Sequence, residues 1–144
     1  RIILDNKLQT KTNNYVIKTA SKNNTIIFYN QADKFKVLDF KKKKIQLIKS
    51  KVNEQGKFDV KAILKKLYKY NCRNLLIEGG DSLTSHLLKN RIFNKFYLYK
   101  SPKNLSKKTE YLKFNSLDVL KKNYKNKFNL NLHLGKDKIT LYKN

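Results

Sequence analysis

The chain has 144 residues, enough for one domain with a hydrophobic core, and its 40% hydrophobic content excludes a disordered polar tail. Its formal net charge of +24 would suit a nucleic-acid or membrane-surface partner. Arginine, which binds bases and phosphates through paired N–H groups, occurs only at Arg1, Arg73 and Arg91, so lysine carries nearly all of the charge. We therefore favour compositional bias as the origin of the charge, with a basic nucleic-acid-binding domain as the alternative.

The rest of the composition limits the class of protein and the cellular compartment. No apolar run approaches the ~20 residues of a membrane-spanning helix, and the N-terminus lacks the pattern of a signal peptide. The single Cys72 excludes an internal disulfide and predicts a reducing, cytoplasmic location. One cysteine and two isolated histidines, His86 and His133, predict no metal site. Because the chain begins at Arg1 and not at Met, we expect it to be part of a longer protein.

Four apolar segments predict buried parallel strands in a sheet that is covered on both faces. They are residues 2–4, 25–29, 74–78 and, with a weaker pattern, 45–48. Between the segments 45–48 and 74–78, Asp59 is a good N-cap for a helix with apolar residues at helical spacing. Strand, helix and strand would form a right-handed βαβ crossover. The lysine run at 41–44 is predicted to be a solvated turn before a strand.

The second half of the chain mixes helices with antiparallel strands. Its predicted elements are a helix between Gly80 and Asn90, a strand at 96–99 before Pro102, a short helix from Ser116, and a hairpin of 128–134 and 139–142. The whole chain therefore predicts an α/β fold with three layers, a mainly parallel sheet and a C-terminal antiparallel hairpin.

The segment 75–83 is the strongest candidate for a ligand site. A predicted buried strand ends there in Gly79-Gly80 and a helix follows, so the backbone could be approached closely and the helix N-terminus would favour an anion. Ser82 and Thr84 add hydroxyl donors. The same pattern also suits a plain tight turn in which Asp81 or a serine caps the helix. The segment has neither a Rossmann nor a phosphate-loop signature.

Two carboxylates stand at the ends of predicted strands. Glu78 would be costly beside a buried strand unless it faced a ligand or paired with a lysine, and we favour the ligand. Asp5 closes the strand at 2–4 and could reach the same edge of the sheet, so we include it among the cofactor-binding candidates. The alternative for Asp5 is an Asx turn with Asn6 and Lys7.

Three segments resemble one known family, in its order and spacing. Residues 74–88 read NLLIEGGDSLTSHLL, residues 93–103 read FNKFYLYKSPK, and the chain opens with RIILDN. Together they resemble the reductase domain of the bifunctional riboflavin-biosynthesis deaminase–reductase, whose fold is dihydrofolate-reductase-like. The Glu-Gly-Gly and Pro-Lys blocks in combination make the resemblance specific.

The resemblance implies an oxidoreductase that transfers hydride from NADPH to 5-amino-6-(5-phosphoribosylamino)uracil and so forms the ribitylamino product. It implies that Glu78 contacts the substrate, and that Asn6 stands where the family has a serine that touches the cofactor. The stretch that would surround the NADPH phosphates is Gly80, Asp81, Ser82, Leu83, Thr84, Ser85 and His86. The nicotinamide would carry the hydride chemistry, and the protein would supply orientation and electrostatics.

The resemblance also sets expectations about assembly. The family's domain begins before the position of Arg1, so we expect a reductase domain that is incomplete at its N-terminus and, as these 144 residues alone, inactive. We expect a homodimer, from the family and from the aromatic strand and apolar-faced hairpin, and a preceding deaminase domain in the full-length chain. A dihydrofolate-reductase-like interaction domain without catalysis is a further alternative.

Overall fold

Three parallel strands form the first half of the fold in a computed structural model, which describes residues 1–21, 24–103, 116–131 and 135–144. The chain divides into two compact units, Arg1–Leu75 and Leu76–Asn144. Each unit has its own sheet and its own hydrophobic core. Among the described residues, no helix combines the length and apolar content that crossing a membrane requires.

The first unit is a three-layer α/β structure. Its strands are β1 (Ile2–Leu4), β2 (Ile26–Tyr29) and β3 (Gln46–Lys49), hydrogen-bonded in the order β1-β2-β3, and its helices are α1 (Tyr15–Lys18), α2 (Lys34–Lys42) and α3 (Val60–Lys69). Side chains alternate between the two faces of a strand, so the neighbours Ile27 and Phe28 of β2 enter different cores. Ile27 packs with Phe40 of α2, and Phe28 packs with Leu67 of α3. Helices therefore cover both faces of the parallel sheet, as predicted.

The second unit is built around an antiparallel sheet. Its elements are α4 (Asp81–Lys89), β4 (Lys95–Lys100), α5 (Ser116–Asn123), β5 (Lys127–Leu130) and β6 (Lys138–Lys143), with the strands in the order β4-β6-β5. Leu88 of α4, Leu120 of α5 and Tyr142 of β6 form the core of this unit with Tyr124. The predicted C-terminal hairpin is confirmed in β5 and β6, whereas its residues 132–134 lie outside the described residues.

One predicted strand is wrong. Residues 74–78 have no regular secondary structure, and Leu76 is 86% exposed. The predicted βαβ crossover into this segment is therefore absent. In the described part of the chain, the strands form a parallel and an antiparallel sheet of three strands each, where the sequence predicted one mainly parallel sheet. The α/β class and the other predicted strands are confirmed.

The helix predictions succeed where a cap and an apolar stripe coincide. Asp59 caps α3 by accepting a hydrogen bond from the backbone N–H of Ala62. Helix α2 was not predicted, although Asp33 caps it in the same way, and the run at 41–44 contributes its last two residues before the predicted turn. Helix α1, with four residues, was also missed.

Three helices end in the same left-handed motif without glycine. The residue after the C-cap has a positive φ in each case: Lys44 (60°) after α2, Asn71 (60°) after α3 and Arg91 (53°) after α4. The next residue returns a backbone hydrogen bond to the helix, as from Ile45 N–H to the carbonyl of Phe40. A left-handed residue followed by this backbone hydrogen bond is typical of the Schellman motif. Glycine is favoured at the left-handed position because a Cβ costs about 1–2 kcal/mol there.

Replacing Lys44 by glycine should therefore raise the free energy of unfolding, by about 0.5–1 kcal/mol after the greater chain entropy of glycine is subtracted. Lys43→Gly is the matched control, because Lys43 has a φ of −85° and gains nothing from glycine. Urea unfolding of both variants measures the difference. Equal destabilisation by the two substitutions would contradict the role assigned to the left-handed position.

Candidate functional site

Asp5 anchors the loop that follows β1. Its carboxylate accepts hydrogen bonds from the backbone N–H of Gln9 (2.8 Å), the backbone N–H of Thr10 (2.7 Å) and the hydroxyl of Thr10 (2.7 Å). The Asx turn with Asn6 and Lys7 that we considered is therefore replaced by a wider turn that closes on Thr10. Partial burial raises the pKa of Asp5, but these hydrogen bonds and the charge of Lys36 together hold it below its ordinary value.

The same loop holds a leucine in an unusual conformation. Leu8 has a φ of 51° and is fully buried in the first core. A left-handed leucine costs of order 1–3 kcal/mol, which burial of its side chain can offset. The Asp5 hydrogen bonds and the burial of Leu8 thus fix one compact conformation of the loop.

Asn6 joins the loops that follow all three parallel strands. Its backbone carbonyl accepts hydrogen bonds from the N–H groups of Asn30 and Gln31, which follow β2. Its side-chain amide donates to the carbonyl of Gly56, in the turn after β3 (2.9 Å). A Cβ on Gly56 would lie 3.2 Å from this amide nitrogen, and the φ of Gly56 is +71°. Asn6 thus has a structural role that the sequence did not reveal, and its contact with a cofactor stays a prediction.

The segment before α4 is exposed. Glu78, predicted beside a buried strand, is exposed together with Gly79 and Gly80. The two glycines differ in their surroundings: a Cβ on Gly79 would lie 2.9 Å from a methyl carbon of Leu83, whereas a Cβ on Gly80 would have no atom within 4 Å. Gly80 is the N-cap of α4 and has an ordinary φ of −66°. A side chain at Gly79 would therefore require Leu83 to shift, whereas a side chain at Gly80 would not.

The first two turns of α4 contain the other predicted residues. Thr84 donates its hydroxyl to the carbonyl of Gly79 (3.3 Å), and His86 lies next to the amide of Asn90 at the end of the helix. Ser82 is exposed and Leu83 is half-buried. The hydroxyls of Ser82 and Thr84 are thus near the N-terminus of α4. Asp81 and Ser85, which belong to the same predicted stretch, instead contact α5.

Asp81 and Ser85 meet a residue that sequence reasoning had treated only as a helix start. The hydroxyl of Ser116 lies 2.6 Å from Oδ1 of Asp81 and 2.8 Å from the hydroxyl of Ser85, and its backbone N–H donates to the same Asp81 oxygen (3.1 Å). Ser116 is fully buried. The contacts span 31 and 35 positions, so no local pattern indicated them.

Other possible sites in the described part of the chain are sparse. No group of three potential metal ligands occurs among the described residues. A wide-open cavity of about 500 Å³ lies beside Pro102 and Lys103, with Lys136 and Asp137 across from them. None of the predicted ligand residues lines this cavity.

The α/β fold formed by these strands and helices is dihydrofolate-reductase-like, as its match to solved structures over 99% of the chain shows. Residues 1–134 match the model of the RibD C-terminal domain, and the chain belongs to that family. This confirms the resemblance found in the sequence. The ligand residues predicted from it all lie within the matched range.

Individual relatives support the same assignment. The chain is 29% identical over 103 residues to the riboflavin biosynthesis protein RibD of Actinobacillus pleuropneumoniae. This alignment covers 72% of this chain and 27% of that protein. It is 43% identical over 51 residues to RibD of Buchnera aphidicola, covering 35% of this chain and 14% of the relative. Two solved forms of Acinetobacter baumannii RibD superpose on 99% of the chain, with TM-scores of 0.69 and 0.68, 14% identity, and 37% and 36% of their lengths covered.

The depressed pKa of Asp5 predicts an acid-dependent loss of stability. A carboxyl whose folded pKa lies below its unfolded value stabilises the fold fully above the unfolded pKa, about 3.9, and loses that contribution as the pH falls through the folded pKa. We expect Asp5→Asn to lower the free energy of unfolding by a constant amount between about pH 5 and 7, and the deficit to narrow below about pH 4.

Denaturant unfolding of wild type and Asp5→Asn across this pH range measures the deficit. Asp39→Asn, which removes a carboxylate from the middle of α2, is the control for the change in net charge. A deficit that stays constant down to pH 2 would contradict the role of the ionised Asp5 carboxylate.

Proposed function

We propose that this chain is a reductase domain of riboflavin biosynthesis that uses NADPH to reduce 5-amino-6-(5-phosphoribosylamino)uracil to the ribitylamino product. The observation that carries the proposal is the family match over residues 1–134, which includes the segment from Glu78 to His86. The names of the relatives support riboflavin biosynthesis as the pathway. Their greater length supports a deaminase domain in the full-length protein.

The residues at the start of α4 fit the phosphates of such a cofactor. Gly80 leaves open space at the N-cap, where the first N–H groups of the helix and its dipole favour an anion. Ser82 is exposed and Thr84 lies one turn into the helix, so both hydroxyls are close to this terminus. Bound NADPH would supply the hydride, and these groups would hold and orient its phosphates.

Glu78 and the loops after the parallel strands have different proposed tasks. The exposed carboxylate of Glu78 is available to a polar group of the substrate. Asp5 and Asn6 already hold loop backbone with their side chains, so they would contribute to the cofactor site mainly by shaping the loop. Removing either side chain would then disturb the fold as well as the ligand.

Gly80→Ala tests whether the glycine at this position is needed for cofactor binding or for folding. The added Cβ meets no atom of the protein, so the free energy of unfolding should change by less than about 1 kcal/mol. If the cofactor phosphates approach Gly80, the same methyl group should weaken NADPH binding at least about tenfold, measured by calorimetry at about 150 mM salt.

Gly79→Ala is the matched control, because its Cβ would press on Leu83 and should lower stability. NADH and ATP serve as competing ligands: wild type should prefer NADPH to both, and the preference should survive added salt. Equal binding of NADPH and ATP that vanishes with salt would mean that a polycation attracts anions, and would contradict the proposal.

We also propose that the domain forms a homodimer through the outer face of its antiparallel sheet. Phe96 and Tyr142 are paired across β4 and β6 and face the helices. Tyr97 and Tyr99 alternate with that face on β4, and with Phe128 of β5 they are 42%, 60% and 47% exposed. Half-exposed aromatic rings on one sheet face are typical of protein interfaces.

Tyr99→Lys should therefore convert the dimer to a monomer, because it places a charge on the apolar face. Tyr15→Lys is the matched control, since Tyr15 is 79% exposed on α1. Sedimentation velocity over a range of concentrations measures the molar mass. A monomeric wild type at every concentration, or the same mass for both variants, would contradict this interface.

A further inference from the structure

Helix α3 of the first unit carries basic side chains along its exposed face. Lys61, Lys65 and Tyr68 lie on one line of this helix, because residues three and four positions apart share a side. All three side chains are exposed, as are the two other lysines of the helix, whereas Leu67 on the other side is buried in the core. The sequence of α3 contains no acidic residue. Its exposed face is therefore positive over its whole length.

An arginine is held over the aromatic ring of this face. The guanidinium carbon of Arg73 lies 3.9 Å from the centroid of the Tyr68 ring. The chain can return to the helix here because Asn71, the residue after the C-cap, has a φ of 60°. The Asn71 side chain also accepts a long hydrogen bond from Nη2 of Arg73 (3.5 Å). The ring and the amide thus position a planar cation, while Arg73 and Tyr68 both stay exposed.

The overall composition of the chain gives no reason for an arginine at this position. Lysine supplies nearly all of the positive charge, and only three arginines occur. Arg1 donates its guanidinium N–H groups within the fold, to Thr19, Thr25 and a backbone carbonyl. Arg73 instead presents an exposed guanidinium on a tyrosine, and lysine has neither the planar group nor the paired donors of that arrangement.

This combination of groups fits a single strand of nucleic acid. Unpaired bases stack on aromatic rings and on guanidinium planes, and lysines beside them contact the phosphates of the backbone. A membrane surface fits less well, because a helix that lies on lipid inserts apolar side chains between the headgroups. The large aliphatic side chains Ile63 and Leu67 of α3 are buried in the core and are not available for insertion.

We propose that the α3 basic face, formed by Lys61, Lys65, Tyr68 and Arg73, binds single-stranded nucleic acid. A base stacks on the Tyr68–Arg73 pair, and the phosphates beside it contact the two lysines. This is a second binding activity, separate from the proposed reductase. It does not rest on the proposed function, because all four residues belong to the first unit and none of them is among the candidate cofactor or substrate residues.

The test compares two polyanions, of which only one carries bases. They are single-stranded oligoadenylate of about 12 nucleotides and inorganic polyphosphate of about the same length, titrated into the full chain in a calorimeter at about 150 mM salt. Tyr68→Ala should weaken oligoadenylate binding about tenfold, because one base loses its stacking partner, and should leave polyphosphate binding unchanged. Tyr68→Phe, which keeps the ring, should bind both like wild type. Tyr15→Ala removes another exposed tyrosine and is the matched control.

The lysines are tested by their effect on the salt dependence of binding. Lys61→Ala combined with Lys65→Ala should weaken the binding of both polyanions. It should also reduce the slope of log affinity against log salt for oligoadenylate by about 1.4, or about 0.7 for each lost phosphate contact. Lys121→Ala combined with Lys122→Ala removes the same charge from exposed positions of α5 and should change the slope less.

Four results would overturn the inference. Wild type that does not bind oligoadenylate at this salt concentration has no such site. Equal losses for oligoadenylate and polyphosphate in Tyr68→Ala would show that no base stacks on the ring. Equal effects of the two double-lysine variants would show that net charge alone attracts the strand. Tighter binding to vesicles of phosphatidylserine than to oligoadenylate would indicate a membrane partner in its place.

Discussion

The parallel sheet depends on one residue at the edge where its strands end. The carboxyl ends of parallel strands lie at the same edge, so the loops that leave β1, β2 and β3 must be fixed relative to one another. Asn6 does this with its carbonyl, which accepts hydrogen bonds from Asn30 and Gln31, and with its amide, which donates to Gly56. Serine at this position, as in the family that the sequence resembles, is shorter and would not span the distance to Gly56 in the same way.

The second unit fixes its helices by a related principle. The N-terminus of a helix carries N–H groups without intrahelical partners, and each such terminus attracts a negative group. Asp81 is the first residue of α4, but its carboxylate accepts a hydrogen bond from the backbone N–H of Ser116, the first residue of α5. Because Ser116 is fully buried, its hydroxyl also requires a partner, and Asp81 supplies it. Two hydrogen bonds between one pair of residues thus join the beginnings of the two helices.

The sequence predicted correctly those helices and strands whose apolar pattern matches the packing that they have in the structure. Strands β1 to β3 and helix α3 were predicted because apolar runs and a capping aspartate coincide with real packing. Residues 74–78 have an equally strong strand pattern, but strand propensity describes packing against neighbours and does not provide them. Helix α2 shows the opposite error. Its apolar residues include Phe35 and Leu38, which are 78% and 53% exposed, so they form no single buried stripe for a pattern to reveal.

The sequence predicted where the helix of the candidate site begins, but it did not predict the contacts of its residues. The sequence placed Glu78 and the glycines immediately before a helix, and α4 begins there. It did not reveal that Asp81 would contact Ser116, because contacts 35 positions apart leave no periodic signal. Nor did it separate the two glycines, which are identical letters in adjacent positions. Only the structure shows that a side chain at Gly79 would press on Leu83, whereas a side chain at Gly80 would meet no atom within 4 Å. Where a Cβ meets no atom of the glycine's own unit, a requirement imposed by a ligand can be recognised, because the added methyl group changes the stability of that unit by less than about 1 kcal/mol.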